Sequence, residues 1–248
     1  TALHHWLSSN AAPGAVIGFD PWLHTVEQIE TLRMGLEGTG ISLAASSNGV
    51  DVIWTDRPSA PNAPAWAHPP HLCGDTAEEK TRRLGAAIAA QSAQTAVITL
   101  PDSLCWLLNL RGSDVPRTPI VHCFGLLSAD GALTLFGDVA KFANLTLPGT
   151  VTLAPWDAFS RHLKDLTGTV LIEPASLPQA AFEALSAGPA KILRGLDPCS
   201  LPKACKTRIE LDGCRAAHLR DGAAVVRFLA WFDRADTSQL SEIDIVAQ

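Results

Sequence analysis

Several features that mark common classes of protein are missing from this sequence. Its 248 residues carry a formal net charge of −6, and no stretch concentrates lysine and arginine with aromatic residues between them, which excludes a nucleic-acid partner. No run of about 18 or more apolar residues occurs, and no leader with charged, apolar and small-residue parts is visible. We therefore expect neither a membrane span nor a secretory signal.

Familiar catalytic and cofactor motifs are missing as well. No GxSxG elbow indicates a serine hydrolase, and neither GxGxxG nor GxxxxGK indicates a nucleotide site. The six cysteines form no CxxC pair, and several lie in apolar runs, as Cys105 does between Leu104 and Trp106. Such thiols pack as small apolar groups. We expect reduced thiols, a buried Cys105 and a cytoplasmic protein.

The two ends of the chain look like interior cuts of a longer polypeptide. The chain opens at Thr1, and its single methionine is Met34. At the other end, residues 238–248 stop inside an amphipathic pattern that is unfinished. We expect the parent protein to extend beyond this segment.

The first region of the chain has the pattern of a βαβ unit. A short apolar strand is predicted at Val16–Asp20, Thr25 can cap the helix that follows, and a second strand is predicted at Ile41–Ala45. Five prolines within Arg57–Pro70 remove backbone donors and fix φ. This segment predicts a stiff linker and a domain boundary.

Strands and helices alternate again after this linker. Thr76 and Glu79 have the spacing of a capping box, before a helix through Leu84 and Ile88. A further helix is predicted near Trp156–Leu166. Strands are predicted at Ala96–Leu100, Trp106–Leu110, Ile120–Leu127, Leu133–Phe136 and Thr169–Glu173, with a hairpin around Asp130-Gly131. The alternation predicts a mixed α/β sheet with flanking helices.

A long helical pattern runs from Lys206 to Asp233, after the turn-rich segment Leu196–Pro202. Its apolar residues recur at helical spacing, and its other side carries most of the charged residues. The pattern predicts an amphipathic helix in a third region of the chain.

The most informative run is the polar end of the predicted strand Trp106–Leu110. Asn109, Arg111 and Asp114 offer donors, acceptors and both charges, and Gly112 permits a tight turn or a close approach. Such a junction fits the wall of a cleft. The same residues can equally cap a strand and pin a turn, and this structural interpretation is the one we favour.

Two groups of histidines invite a chemical interpretation that the spacing does not support. His68 and His71 flank two prolines just before Cys73, but partners for a closed tetrahedral metal site are missing. His218 and Asp221 are three residues apart and can pair on a helix surface, which favours a structural contact.

Four segments, in this order, resemble the three-domain Xaa-Pro aminopeptidases of the creatinase and prolidase family of metallopeptidases. The most specific is Asn109–Val115 followed by Pro119. The other segments are Trp54–Pro58, Gly74 with Glu79-Lys80, and Lys206–Glu210 with Ala217–Gly222 and Phe228–Trp231. The resemblance implies the end of a creatinase-like domain I at residues 1–64, a creatinase-like domain II at 65–200 and the first helices of a pita-bread catalytic domain at 201–248.

The resemblance also implies what the parent protein does. Family members use two divalent metal ions, commonly manganese, held by Asp, Asp, His, Glu and Glu, to remove the N-terminal residue from peptides with proline in the second position. A homodimer is expected. No residue of this chain matches a metal ligand, so we assign no catalytic or metal residue. We expect the isolated segment to bind no metal ion of the centre and to be inactive. Asn109, Arg111 and Asp114 are the candidates for lining the substrate cleft.

Two alternatives remain open at this point. The chain can belong to a non-peptidase relative, such as a creatinase-like hydrolase or an inactive pita-bread protein. It can also be a separate α/β module for binding or dimerisation, without catalysis. On the favoured interpretation its own work is that of a scaffold, with dimerisation and cleft gating.

Overall fold

The computed structural model describes residues 2–248 and divides them between two units. The first unit comprises the residues up to His68 and Asp75–Cys205, and the second comprises Pro69–Gly74 and Lys206–Gln248. The predicted boundaries at residues 64/65 and 200/201 stay predictions.

The first unit is built on a mixed sheet. Its strands are β1 Val16–Phe19, β2 Ser42–Ala45, β3 Trp66–Ala67, β4 Thr95–Ile98, β5 Leu110–Arg111, β6 Phe124–Ser128, β7 Leu133–Gly137, β8 Val151–Pro155, β9 Thr169–Ile172 and β10 Lys191–Arg194. Six of them form one sheet in the order β10-β9-β4-β6-β7-β8. Among these strands β6 alone runs antiparallel to its neighbours. The mixed α/β fold with flanking helices is therefore confirmed.

Helices of several lengths connect the strands. They are α1 Leu3–Asn10, α2 Val26–Gly35, α3 Gly49–Ile53, α4 Pro70–Cys73, α5 Ala77–Ala90, α6 Pro101–Leu107, α7 Phe159–Asp165, α8 Gln179–Ser186, α9 Ser200–Ala204, α10 Arg208–Phe232 and α11 Glu242–Ala247, with 3₁₀ turns at Val139–Phe142, Trp156–Ala158 and Thr237–Gln239. None of the helices in residues 2–248 has the length and apolar character that crossing a membrane requires.

The central strands are largely apolar because helices cover both faces of the sheet. Neighbouring residues of a strand point to opposite faces, so Ala96 and Ile98 pack into one apolar cluster and Val97 packs into the other. Helices α5 and α6 supply the first cluster with Leu84, Ile88, Leu104 and Leu107. Helices α7 and α8 supply the second with Phe159, Leu163, Ala181 and Leu185.

The predicted βαβ pattern at the start of the chain is present. Strands β1 and β2 pair in parallel, with helix α2 between them in sequence. Thr25 forms a capping box with Gln28, and Val26 and Ile29 are fully buried. The backbone N–H of Val26 donates to the carbonyl of Leu177 over 3.0 Å, which attaches α2 to the loop before α8.

The end of the proline-rich segment is part of the folded unit. Trp66–Ala67 forms β3, which pairs antiparallel with β5. Just before it, Ala65 is buried and its N–H donates to the carbonyl of Lys141 over 2.9 Å. The last residues of the predicted linker therefore pack against the residues that follow strand β7.

The strand predicted at Trp106–Leu110 is wrong. Helix α6 spans Pro101–Leu107, and only Leu110–Arg111 is extended, as β5. Pro101 is at the start of the helix, and Leu104 and Leu107 bury one helical face. A short apolar run does not distinguish a buried strand from a buried helix, and this run forms a buried helix.

The second unit is dominated by α10, which confirms the helix predicted from Lys206 to Asp233. Thr207 and Glu210 form its capping box. Gly74, with φ +79°, follows α4, and a Cβ there would lie 2.5 Å from the Thr207 hydroxyl oxygen. This close approach requires glycine at the junction of α4 and α10.

Candidate functional site

The carboxyl ends of five parallel strands meet along one edge of the six-stranded sheet. This edge is where ligands bind in open α/β sheets. The residues that follow these strands there are mostly polar or aromatic, and the nearest of them are Thr99, Asp138, Trp156, Glu173 and Asp197. The antiparallel strand β6 begins at the same edge, directly after His122 and Cys123.

A buried ion pair lies at this edge. The Asp114 side chain is completely buried, and its Oδ2 accepts hydrogen bonds from Lys141 Nζ and from the backbone N–H of His122, both over 2.7 Å. The Lys141 side chain is only 4% exposed. Asp114 Oδ1 has no hydrogen-bond partner among the described residues. The ammonium group of Lys141 is therefore the main group that balances the charge of this carboxylate.

His122 links this pair to the surface. Its Nδ1 lies 4.0 Å from Asp114 Oδ2, and its side chain is 44% exposed. That separation is too long for a hydrogen bond, so the direct link between His122 and the carboxylate is the backbone N–H bond.

An open pocket of about 630 Å³ lies beside this pair, and we call it the edge pocket. It is lined by Ala60, Pro61, His122, Gly137, Asp138, Val139, Lys141, Pro155, Trp156 and Asp157. The Trp156 ring packs edge-to-face against Phe124, with centroids 5.1 Å apart. The pocket thus combines an anchored indole with two carboxylates and apolar walls.

The first predicted site residue, Asn109, is held by a buried lysine. Its Oδ1 accepts from Lys80 Nζ over 2.6 Å, and its Nδ2 donates to the carbonyl of Asp75 over 2.9 Å. The Lys80 ammonium also donates to the carbonyl of Trp106 and lies 4.5 Å from the centre of that indole ring. Asn109 itself has φ +54°, a conformation that asparagine tolerates better than most residues.

The other two predicted residues have different partners. Arg111 Nη1 donates to the carbonyls of Leu110, over 2.7 Å, and Cys105, over 3.4 Å. Asp114 pairs with Lys141, and at Gly112 a Cβ would meet the Ile120 carbonyl at 2.6 Å. The contacts of Gly112 and Asp114 secure the turn that follows β5, whereas Arg111 bonds back to β5 and to α6. Within residues 2–248 the side chains of Asn109, Arg111 and Asp114 share no common partner. Their role in a substrate cleft stays a prediction.

Several residues of this region were not predicted from the sequence. Lys80, inside the charged run Glu78–Arg83, and Lys141 carry no local signal of burial, since their partners come from distant segments. Asp138 had a usable signal, because it follows the predicted strand that became β7 and that ends at the carboxyl edge. Trp156 had none, because β8, the strand before it, was not predicted.

Cys105, Cys123 and Cys199 are buried, which makes their thiols unreactive. The prediction that Cys105 is buried is confirmed, and burial raises the pKa of its thiol. Burial also raises the pKa of Cys123 and Cys199 well above the ordinary value. All six cysteines lie within the described residues and none forms a disulfide. These buried thiols stay protonated at neutral pH.

Residues 2–248 contain no group of three or more His, Cys, Asp or Glu placed to hold a metal ion. The His218 ring does not pair with Asp221. Its Nδ1 lies 2.8 Å from the Cys214 carbonyl oxygen and 3.5 Å from the Cys214 sulfur. The His218 ring therefore interacts with Cys214 in the preceding turn of α10 and not with Asp221, which the spacing also allowed.

Fold and sequence place the chain in a known class of domain. Residues 56–210 match the creatinase/prolidase N-terminal domain, and the chain belongs to this family. The resemblance drawn from the four segments is therefore confirmed.

The relatives found by sequence are Xaa-Pro aminopeptidases. The chain is 31% identical, over 96% of its length, to a probable Xaa-Pro aminopeptidase P of Arthroderma gypseum, of which it covers 40%. It is also 31% identical, over 96% of its length, to the corresponding protein of Coccidioides posadasii, of which it covers 39%. The chain thus spans about two fifths of the length of these curated relatives.

Solved structures agree with this result. An X-prolyl aminopeptidase from Caenorhabditis elegans, described as a cytosolic enzyme with a di-nuclear active site, superposes with a TM-score of 0.84 at 26% identity, covering all of this chain and 42% of that protein. A prolidase from Pyrococcus horikoshii matches with a TM-score of 0.50 at 17% identity over 68% of this chain and 46% of that protein, which bears on the fold alone.

Proposed function

We propose that this chain is part of an aminopeptidase that removes the N-terminal residue from peptides with proline in the second position. One observation carries the proposal: similarity to Xaa-Pro aminopeptidases extends over nearly the whole chain, in sequence and in structure. It covers the helical segment 206–248 as well as the domain matched at residues 56–210.

In this proposal the parent enzyme works in the cytoplasm with two divalent metal ions, and we propose that both ions are manganese. The di-nuclear active site named for the nematode enzyme supports a two-ion centre. The donors of this chain do not fit such a centre, because residues 2–248 bring no three ligand side chains together. We therefore derive no catalytic step from this chain.

The chain's own part is a scaffold that supports the dimer and restricts the substrate cleft. Of the three cleft candidates, Arg111 suits a peptide best. Asn109 uses its amide, and Asp114 its Oδ2, within the protein. The guanidinium of Arg111 uses only Nη1 in the contacts described, which leaves donors for a peptide carbonyl or carboxylate.

The decisive experiment uses the parent protein at the length of its relatives. We expect release of the first residue from Phe-Pro-Ala-amide at least about a hundredfold faster than from Phe-Ala-Ala-amide. A chelator should abolish this activity, and manganese should restore it better than zinc. The 248-residue chain with manganese is the control and should show no turnover.

Two outcomes would contradict the proposal. Equal rates on the two peptides would remove the specificity for proline, and full activity in the chelator would remove the metal centre. Better recovery with zinc than with manganese would contradict only the choice of metal.

A further inference from the structure

We infer that the edge pocket binds the cationic side chain of a peptide, a guanidinium or an ammonium group on its apolar stem. This site lies outside the aminopeptidase activity proposed above and needs no metal. Its volume of about 630 Å³ lies within the range of ordinary ligand pockets, about 300–1,000 Å³.

The charge of the pocket favours a cation. Asp138 Oδ1 accepts from the backbone N–H of Ala140, which leaves Oδ2 available. Asp157 is exposed, and its carboxylate has no partner among the described residues. Lys141, the lysine of the lining, is paired with the buried Asp114. Two carboxylates therefore line the pocket, and the charge of its lysine is already matched by Asp114.

The indole of Trp156 supplies the second element of recognition. Trp156 as a whole residue is 40% exposed, yet its ring is anchored edge-to-face on Phe124. Phe124 in turn packs against Phe159, with ring centroids 5.1 Å apart. An anchored indole beside carboxylates is a favourable surface for a guanidinium or ammonium group, since the negative ring face attracts the cation.

The apolar walls indicate a side chain rather than a bare cation. Pro61, Val139 and Pro155 line the pocket between the charged groups. Arginine and lysine carry methylene stems that pack on such surfaces while the charged end reaches polar partners. The pocket therefore matches both parts of these side chains.

The probe is the peptide Ac-Ala-Arg-Ala-NH₂, titrated into the 248-residue chain while the indole N–H signals are followed by NMR. The Trp156 signal is identified by its loss in Trp156→Phe. We expect this signal to shift saturably. The matched peptide with citrulline, which keeps the shape and loses the charge, should bind at least about tenfold more weakly.

Two variants test the assignment against a matched control. Trp156→Ala should weaken binding of the arginine peptide about tenfold, and Asp157→Asn should weaken it about threefold. Asp165→Asn removes the same charge from the exposed end of α7, outside the pocket lining, and should leave binding unchanged. Because Asp157 is exposed, its variant remains informative if Trp156→Ala does not fold.

Several results would overturn the inference. Equal binding of the arginine and citrulline peptides would show that charge is not recognised. Wild-type affinity in Asp157→Asn, or no saturable shift at all, would remove the site. If methylguanidinium bound as tightly as the peptide, the stem would play no part. These measurements involve no turnover, so their failure would leave the proposed aminopeptidase activity untouched.

Discussion

At the scale of single residues, two buried lysines hold the candidate site together in different ways. The Lys80 ammonium group donates hydrogen bonds to the carbonyl oxygen of Trp106 and to Oδ1 of Asn109, and it lies over the Trp106 indole. Lys141 instead forms an ion pair with Asp114 in the interior. Burying both charges is costly, and removing one partner leaves the other uncompensated.

Replacing Lys141 tests this directly. We expect Lys141→Met to lower the free energy of unfolding by about 3–5 kcal/mol, because Asp114 would remain as an unpaired buried charge. Urea unfolding followed by circular dichroism measures the loss. The exposed Lys164→Met is the control and should change stability by less than about 0.5 kcal/mol. The double change Lys141→Met with Asp114→Leu should recover part of the loss, and no recovery would contradict the ion-pair explanation.

Arg111 is the residue whose role in the parent enzyme is most open to test. We expect Arg111→Ala to lower kcat/KM for a Xaa-Pro peptide about tenfold or more, through loss of a charge-assisted hydrogen bond. The melting temperature should change little, and Arg111→Lys should recover part of the activity. A lower melting temperature with unchanged kcat/KM would assign Arg111 to the turn alone.

At the scale of helices and strands, short-range signals were the dependable ones. The capping box predicted from Thr76 and Glu79 is formed, and so is the predicted hairpin of β6 and β7. Strand β8, helix α8 and strand β10 were not predicted. The two strands lie at the edges of the sheet, where their mixed polar and apolar residues lack the continuous apolar pattern of a central strand.

Gly85 shows where a helix needs glycine for packing. A Cβ there would lie 2.7 Å from the backbone N of Gly131 and 2.8 Å from the Ala129 carbonyl oxygen. Backbone atoms in a packed core cannot move far enough to make room for a methyl group. Gly85→Ala should therefore lower the free energy of unfolding by about 1–3 kcal/mol. Gly222→Ala in α10 is the matched control, because an added Cβ there would meet no atom within 4 Å beyond the helix's own backbone. It should raise helix stability by up to about 1 kcal/mol. Equal effects in urea unfolding would refute the packing argument.

An ion pair between α2 and β10 predicts a pH dependence. Arg194 donates to both carboxylate oxygens of Glu30, and this hydrogen bonding holds the pKa of Glu30 below its ordinary value. A lowered folded-state pKa stabilises the protein above the unfolded pKa, and this contribution is lost as pH falls through the folded value. The side chains of Arg194 and Glu30 are 47% and 37% exposed, so solvent screens the pair, and Glu30→Gln should cost no more than about 0.5 kcal/mol at pH 7.

The measurement is urea unfolding of the wild type and Glu30→Gln from pH 7 to pH 3. The difference between them should begin to shrink near the ordinary pKa of glutamate, about 4.3, and should disappear once the pH is below the lowered folded-state pKa. Glu183→Gln would not serve as the control, because Glu183 accepts a hydrogen bond from Gln179. Glu37→Gln, which follows α2 on the exposed surface, is suitable. A constant difference across this range would exclude the ion pair as its cause.

At the scale of the whole molecule, the two units differ in how well they bury apolar residues. The first unit has a continuous core on both faces of its sheet. Helix α10 of the second unit has no buried residue, and Leu219, Val226 and Leu229 are more than half exposed. Their spacing places them along one face of the helix. A face of this kind marks a surface that becomes covered in an assembly or a larger fold.

We therefore expect the 248-residue chain to self-associate through this face. Replacing Leu219, Val226 and Leu229 together by glutamine should shift the sedimentation equilibrium towards monomer, because the apolar stripe is removed. The control is Leu201→Gln, which replaces an isolated exposed leucine in the first unit. Equal association of the wild type and the triple variant would show that the face does not drive it.

The sequence by itself determined the α/β class, the family and the starts of several helices. Capping boxes at Thr25, Thr76 and Thr207 join residues three apart, so a local pattern is enough to specify them. Only the tertiary structure decided which polar residues are buried and which remain open to a ligand. Lys141 meets Asp114 across 27 residues of chain, and such a partner is chosen by the closing of the sheet, which no local spacing encodes.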